Sequence, residues 1–306
     1  MFAIVSKKVL AEVREETIKS VKEEILPPFG EAVKTAMRAE YTVMPRFGFH
    51  QPLDYDQVTL PAQFDPVIKS DLSSLLLPGG KDRFGYSPDD DENYLRWGRQ
   101  DHDLVISAIE KWRGKIGGVS ILDFGCSSGR VLRHFEEERL VAGWQLYGCD
   151  IQARAVEWMR RYLPQHFNVI TSSTLPHLPY EDKTFDVIYG FSVFTHVKYQ
   201  WDAWLMELRR ILKPGGLLIQ TIHAETAWSF YHNQKHESWV RESQCPRVYD
   251  TPEMDVDYLY YGDACVSQVF WKKDIAVDFW GRYFKVLEFA PPPKHSFQDW
   301  IICQKS

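Results

Sequence analysis

From residue 119 onward, short unbroken apolar runs alternate with stretches whose apolar positions recur at helical spacing. Val119–Phe124, Trp144–Cys149, Phe167–Thr171, Phe185–Phe191 and Leu217–Ile222 read as strands. Between them lie a helical pattern carrying Val131, Leu132 and Phe135, a helix over Ala153–Tyr162 stopped by Pro164, and a helix over Tyr199–Leu212 stopped by Lys213-Pro214-Gly215-Gly216. Strands that alternate with helices predict a parallel sheet covered on both faces.

After an interruption at 223–263, the rhythm returns with a strand at Val266–Phe270, a helix at Lys272–Tyr283 and strands at Phe284–Phe289 and Trp300–Cys303. The interruption is dense in aromatics, among them Trp228, Phe230, Tyr231, Trp239, Tyr249, Tyr258, Tyr260 and Tyr261. It reads either as an aromatic lid or as a small satellite core. Upstream, Lys7–Ile25 is an amphipathic helix ended by Pro27-Pro28, and a short helix covers Gly30–Glu40. Tyr41–Pro88 is rich in Pro, Gly and aromatics and has little periodicity. A helix with an acidic start at Asp89–Glu92 then runs through Tyr94, Trp97, Val105 and Ile109 to about Gly114. The expected organisation is an N-terminal extension over 1–88 and a domain over 89–306 that contains the insertion 223–263.

Composition narrows the function. The chain has 306 residues, 44% of them hydrophobic, enough for a full core. A formal charge of −6 argues against a broad nucleic-acid footprint. Five scattered cysteines without C-x-x-C spacing favour a reducing compartment over a disulfide framework or a zinc site. No apolar run is long enough to span a membrane and the N-terminus is not a secretory signal, so the expected location is cytoplasmic.

The chemistry centres on Ile121–Phe135. A strand ends in Asp123-Phe124-Gly125-Cys126-Ser127-Ser128-Gly129, and a helical pattern follows. Small residues at such a turn let backbone N–H groups approach a ligand at the start of a helix. An acid just before the first glycine suits a cationic ligand end and repels a pyrophosphate. The turn resembles the first motif of the Rossmann-like (class I) S-adenosylmethionine-dependent methyltransferases, D/E-x-G-x-G-x-G, with Ser127 in place of the middle glycine. Leu212-Lys213-Pro214-Gly215-Gly216 is similar to the same family's turn into its fifth strand. The resemblance covers about Asp89–Thr221 and Val266–Ser306. It implies an α/β fold with a doubly wound, mostly parallel seven-stranded sheet closed by an antiparallel hairpin, and S-adenosyl-L-methionine as cofactor.

Asp150 lies about 20 residues beyond the glycine turn at a strand end, the place of a ribose-binding acid; a helix cap is the other reading. The expected cofactor contacts are Asp123, Phe124, Gly125, Cys126, Ser127, Gly129, Asp150, Ile151, Ser172, Ser173, Phe191 and Ser192. Tyr94 and Arg99 are candidates for the methionine carboxylate. Ser172 and Ser173 stand where many relatives carry an acid for the adenine. Methyl transfer to an alcohol needs a base, and the candidates are His196, His223, Glu225 and His295. His196 also reads as a capping or packing residue.

No N/D-P-P-Y/F/W and no Pro-Cys follows the fourth strand, and no cluster of acids marks a metal-dependent site. The sequence therefore predicts a methyltransferase acting on a hydroxyl of a small molecule or saccharide. The alternatives are a catalytically silent cofactor-binding protein of the same fold and a methyltransferase for a macromolecule. The N-terminal helix offers a homo-oligomer contact.

Overall fold

The computed structural model describes residues 64–306 apart from 65, 66, 72, 85, 115, 116 and 263–266. The helices expected over 7–25 and 30–40 lie outside the described residues. The central sheet is built from β1 (Ser120–Phe124), β2 (Gln145–Asp150), β3 (Phe167–Thr171), β4 (Phe185–Gly190), β5 (Leu212–Ile222), β8 (Lys285–Ala290) and β9 (Asp299–Gln304). Its order is β3-β2-β1-β4-β5-β9-β8. The first five strands are parallel, and β9 runs antiparallel between β5 and β8. This is the α/β, doubly wound, seven-stranded fold that the sequence predicts.

Alternation along each strand divides the core in two. Ile121, Val187, Tyr189 and Ile219 face one side, where they meet Val105 and Ile109 of α1 (Asp91–Arg113) and Val156 and Trp158 of α3 (Ala153–Tyr162). Leu122, Ile188 and Leu218 face the other, against Trp204 and Leu208 of α4 (Trp201–Ile211) and Trp280 of α8 (Lys273–Gly281). Each wholly buried side chain of this size contributes about 1.5–3 kcal/mol. Inside α1, Gly98 permits close approach: a Cβ there would stand 2.2 Å from the Arg130 carbonyl oxygen.

Three expected elements take a different form. The apolar stretch at Val266–Phe270 becomes β7 (Gln268–Trp271), which pairs with β6 (Tyr258–Tyr261) in a separate two-stranded ribbon and not in the main sheet. The hydrophobic pattern cannot specify which neighbour a strand takes. After the glycine turn the chain first winds as a 3-10 turn, Leu132–Phe135, before α2 (Glu136–Ala142). There the Arg133 side chain competes for the Gly129 carbonyl, with Nε at 3.0 Å beside its own backbone N–H at 3.2 Å. Lys213–Gly216 forms a bulge inside β5: Phe185 stands opposite Leu212, and Val187 opposite Leu217.

The insertion folds as α5 (Glu225–Asn233), α6 (Ser238–Ser243) and α7 (Pro246–Asp250) before the ribbon. Its aromatics build a small core of their own, with Trp228 and Tyr231 packed on Val240, Val248 and Phe270. Among the described residues no helix is long and apolar enough to cross a membrane.

Candidate functional site

The glycine turn is tied to the end of β2. The N–H groups of Gly125 and Cys126 both donate to the Cys149 carbonyl, at 2.8 and 3.0 Å. Ser127 N–H donates to Asp150 Oδ2 at 2.7 Å, and Gln152 N–H donates to Oδ1 at 2.7 Å. The Asp150 carbonyl accepts from Ser172 N–H at 2.8 Å, which brings the end of β3 to the same place. Asp150 thus joins three strand ends. Burial raises its carboxyl above the ordinary range, and the backbone donors oppose that shift.

Gly125 (φ 88°), Ser127 (φ 48°) and Gly129 (φ 79°) all adopt the left-handed region. This explains the glycine at the Ser127 position in the family's motif. A Cβ on Gly125 would stand 2.3 Å from Val193 Cγ2, and one on Gly129 would stand 2.8 Å from Met159 Cε. The turn is packed too closely for any side chain at these two positions.

Asp123, at the end of β1, accepts a hydrogen bond from Tyr189 Oη at 2.9 Å and is 3% exposed. Burial pushes its pKa up to about 7, against the opposing influence of Tyr189 and the Arg130 guanidinium. Arg130 follows the turn directly and pairs with Asp101 Oδ2 at 2.7 Å. Its guanidinium stacks over the Tyr86 ring at 4.4 Å.

The ends of β4 and β5 carry a polar network. Ser192 (φ 58°) takes Thr221 Oγ1 through its N–H at 2.8 Å and meets the Gln298 amide at 3.0 and 2.7 Å. Thr221 Oγ1 donates to Gln298 Oε1 at 2.7 Å, and Tyr86 Oη donates to Ser192 Oγ at 3.1 Å. Phe191 packs edge-on against Trp300 at 5.0 Å.

His196 and His223 stand at this same edge, close enough to influence each other electrostatically. His196 holds its Nδ1 against the Ser267 carbonyl at 2.5 Å. That contact sets Nδ1 as the donor and leaves the Nε2 lone pair as acceptor. His223 lies between Tyr231, Phe270 and Phe297, and its buried Nδ1 has no partner among the described residues. Burial lowers the pKa of both histidines, that of His223 well below the ordinary value, so both favour the neutral form.

Three candidates are engaged elsewhere. Glu225 accepts from Lys273 N–H at 3.0 Å and so caps α8. His295 bonds Asp101 Oδ1 at 2.9 Å, where it braces the Arg130 partner. Arg99, on the exposed side of α1, pairs with Asp103 at 3.1 Å and not with the turn. Tyr94 does reach the turn, with its hydroxyl 3.3 Å from Ser128 Oγ. Ser173 Oγ accepts from Leu175 N–H at 3.2 Å and shapes the loop after β3. Phe124 and Ile151 flank the turn and Asp150, and Cys126 is buried beneath. Sequence reasoning missed Arg130, Tyr189 and Gln298. The one signal for Arg130 was a cation at the start of a helical pattern, where the dipole disfavours it.

The donor set fits a nucleoside with a cationic tail. Ser127 Oγ and Gln152 Oε1, which flank Asp150, are buried without a partner among the described residues, and Asp150 keeps unused lone pairs on both oxygens. Asp123 places a second buried carboxyl two residues before Gly125.

Comparison with known proteins agrees. Residues 122–220 match the family model described as a methyltransferase domain. The demethylmenaquinone methyltransferase of Tropheryma whipplei (strain Twist) is 29% identical over 125 residues, 38% of this chain and 50% of that protein. The sterol 24-C-methyltransferase erg6 of Schizosaccharomyces pombe is 28% identical over 104 residues, 33% of this chain and 26% of that protein. The chain thus spans half or less of the curated relatives it matches. The crystal structure of the PH0226 protein from Pyrococcus horikoshii OT3 shares the fold, with a TM-score of 0.52 at 17% identity, covering 72% of this chain and 95% of that one. The motif, the strand order and the family match agree: residues 122–220 are similar to a methyltransferase domain, and the chain has the Rossmann-like fold of the class I S-adenosylmethionine-dependent methyltransferases, whose cofactor is S-adenosyl-L-methionine.

Proposed function

We propose that this protein transfers a methyl group from S-adenosyl-L-methionine to a hydroxyl of a small, largely apolar molecule. The observation that carries the reading is the position of His196: its Nδ1 is fixed by the Ser267 carbonyl, and it follows β4 at the sheet edge that holds the glycine turn. When bound, the cofactor would supply an electrophilic methyl group from its sulfonium, the S–CH3 bond breaking to leave S-adenosylhomocysteine. Asp150, with Ser127 and Gln152, would hold the ribose, and Asp123 would offer a carboxylate to the cationic end. His196 Nε2 would take the proton of the acceptor hydroxyl. Orientation supplies most of the remaining rate, since the displacement disperses charge.

Support for an apolar acceptor comes from the half-buried Phe230 and Phe297, stacked on each other beside His223. The relatives named for a demethylmenaquinone and a sterol point the same way. Residues 1–88 are an extension to the methyltransferase domain, and Tyr86 already reaches Ser192 from it.

The test begins with calorimetric titration of S-adenosylmethionine and S-adenosylhomocysteine into the wild type and Asp150→Ala. Micromolar affinity, about −8 kcal/mol, that is lost in the variant supports the pocket. Labelled methyl transfer to a panel of phenols, hydroxylated quinones, sterols and saccharides then identifies the acceptor. Cofactor binding without turnover on any of them would favour the catalytically silent reading, and turnover on RNA or protein alone would favour the macromolecular one.

A further inference from the structure

Between α1 and the 3-10 turn at 132–135 lies an open cavity of about 560 Å³, lined by Arg99 among others and by no residue of the glycine turn or the end of β2. Arg133 contributes to its wall and is 3% exposed. Two of its nitrogens are spent on carbonyls: Nε donates to Gly129 at 3.0 Å and Nη1 to Leu76 at 3.1 Å. Its guanidinium lies over the Tyr94 ring at 5.6 Å, and Nη2 is buried without a hydrogen-bond acceptor among the described residues. A guanidinium cannot discharge, so a buried one without a counter-anion is costly.

The neighbouring buried arginines are handled differently. Arg83 pairs with Asp91, and Arg130 pairs with Asp101. Arg133 has no carboxylate among the described residues, although three glutamates border the cavity. Glu136 is turned to Arg139 and His166, while Glu92 and Glu137 stand exposed at the rim. Arg96 is exposed at the same rim and bonds the neutral Asn93.

We propose that this cavity is an effector site for a small oxyanion, a carboxylate or a single phosphate group, anchored by Arg133 and steered by Arg96. The acids at the rim select against a polyphosphate. The site communicates with the cofactor turn because Arg133 Nε holds the carbonyl of Gly129, the last glycine of that turn. The inference concerns a second ligand and does not depend on the identity of the methyl acceptor.

The test is thermal unfolding of the full chain against sodium phosphate and sodium acetate, with sodium chloride at matched ionic strength. Phosphate or acetate is expected to give a saturating upward shift that chloride does not give. Arg133→Gln should abolish saturation. Arg96→Glu, at an exposed position where folding is not at stake, should raise the midpoint at least about fivefold. Saturating phosphate should also shift the S-adenosylhomocysteine Kd by about threefold or more. A linear response for both anions, or an unchanged midpoint in Arg96→Glu, overturns the site even where Arg133→Gln does not fold. An unchanged Kd under saturating phosphate overturns the effector role.

Discussion

Ser127 delivers its backbone N–H to Asp150 Oδ2 at 2.7 Å from a left-handed conformation, φ 48°. One backbone angle thus links the glycine turn to the acid at the end of β2. For an L-residue this region costs about 1–2 kcal/mol. Ser127→Gly removes that cost and keeps the N–H, while the greater freedom of the unfolded chain costs folding about 0.5–1 kcal/mol. The melting temperature of Ser127→Gly should therefore equal or exceed that of the wild type by a few degrees. Ser127→Val should lose about 2 kcal/mol or more, because a β-branched residue tolerates this region worst. Chemical denaturation of the three proteins checks the order.

Gly125→Ala should destabilise by about 2–4 kcal/mol, since its Cβ would stand 2.3 Å from Val193 Cγ2 at a φ of 88°. Val193→Ala removes the clash and leaves the backbone strain. The double variant should recover part of the loss, with a coupling energy of about 1 kcal/mol or more. Strict additivity in the cycle would show that Val193 does not sit on the turn.

The raised pKa of Asp123, about 7 against 3.8, gives a pH dependence of definite sign. Between these values the native state keeps a proton that the unfolded chain has released. The native state therefore binds more protons than the unfolded one, and this group makes stability fall as pH rises from about 4 to 7, by at most about 1.4 kcal/mol per pH unit. Asp123→Asn should flatten that fall in urea titrations across the window. A cationic cofactor favours the ionised carboxyl, so affinity for S-adenosylmethionine should rise between pH 6 and 8 more steeply than affinity for S-adenosylhomocysteine, which lacks the sulfonium charge. Parallel slopes for the two ligands would assign the proton to another group.

His196→Ala should lower kcat by about 10²–10⁴ with little change in cofactor affinity, the range for loss of a positioned base. Glu225→Gln should change kcat less than about twofold, because Glu225 caps α8 through Lys273 N–H. Once an acceptor is in hand, steady-state kinetics separate the two. The lowered pKa of His196 also predicts that kcat holds steady below the pH at which an ordinary histidine would protonate.

The fold was legible in the sequence wherever the signal was local. Asp123, the glycines and Asp150 lie in one strand-turn-helix-strand unit whose patterning appears within 30 residues, and the structure joins them through Cys149 and Ser127. Val266–Phe270 had the right composition for a strand, but composition says nothing of its partner, and it pairs with Tyr258–Tyr261 instead of the main sheet. The contacts of His295 and Gln298 were out of reach for the same reason. His295 meets Asp101 across 194 positions, and Gln298 meets Ser192 across 106. Arg99 looked available because charged residues on a helix carry no sign of which neighbour they will take; Asp103, one turn on, took it.

The bond between Thr221 and Gln298 spans 77 positions of chain. Synthesis is vectorial, so the glycine turn and Asp150 leave the ribosome well before Gln298 does. During that interval Ser192 and Thr221 lack the amide that joins them. The two halves of the site therefore depend on parts of the chain that are completed at different times.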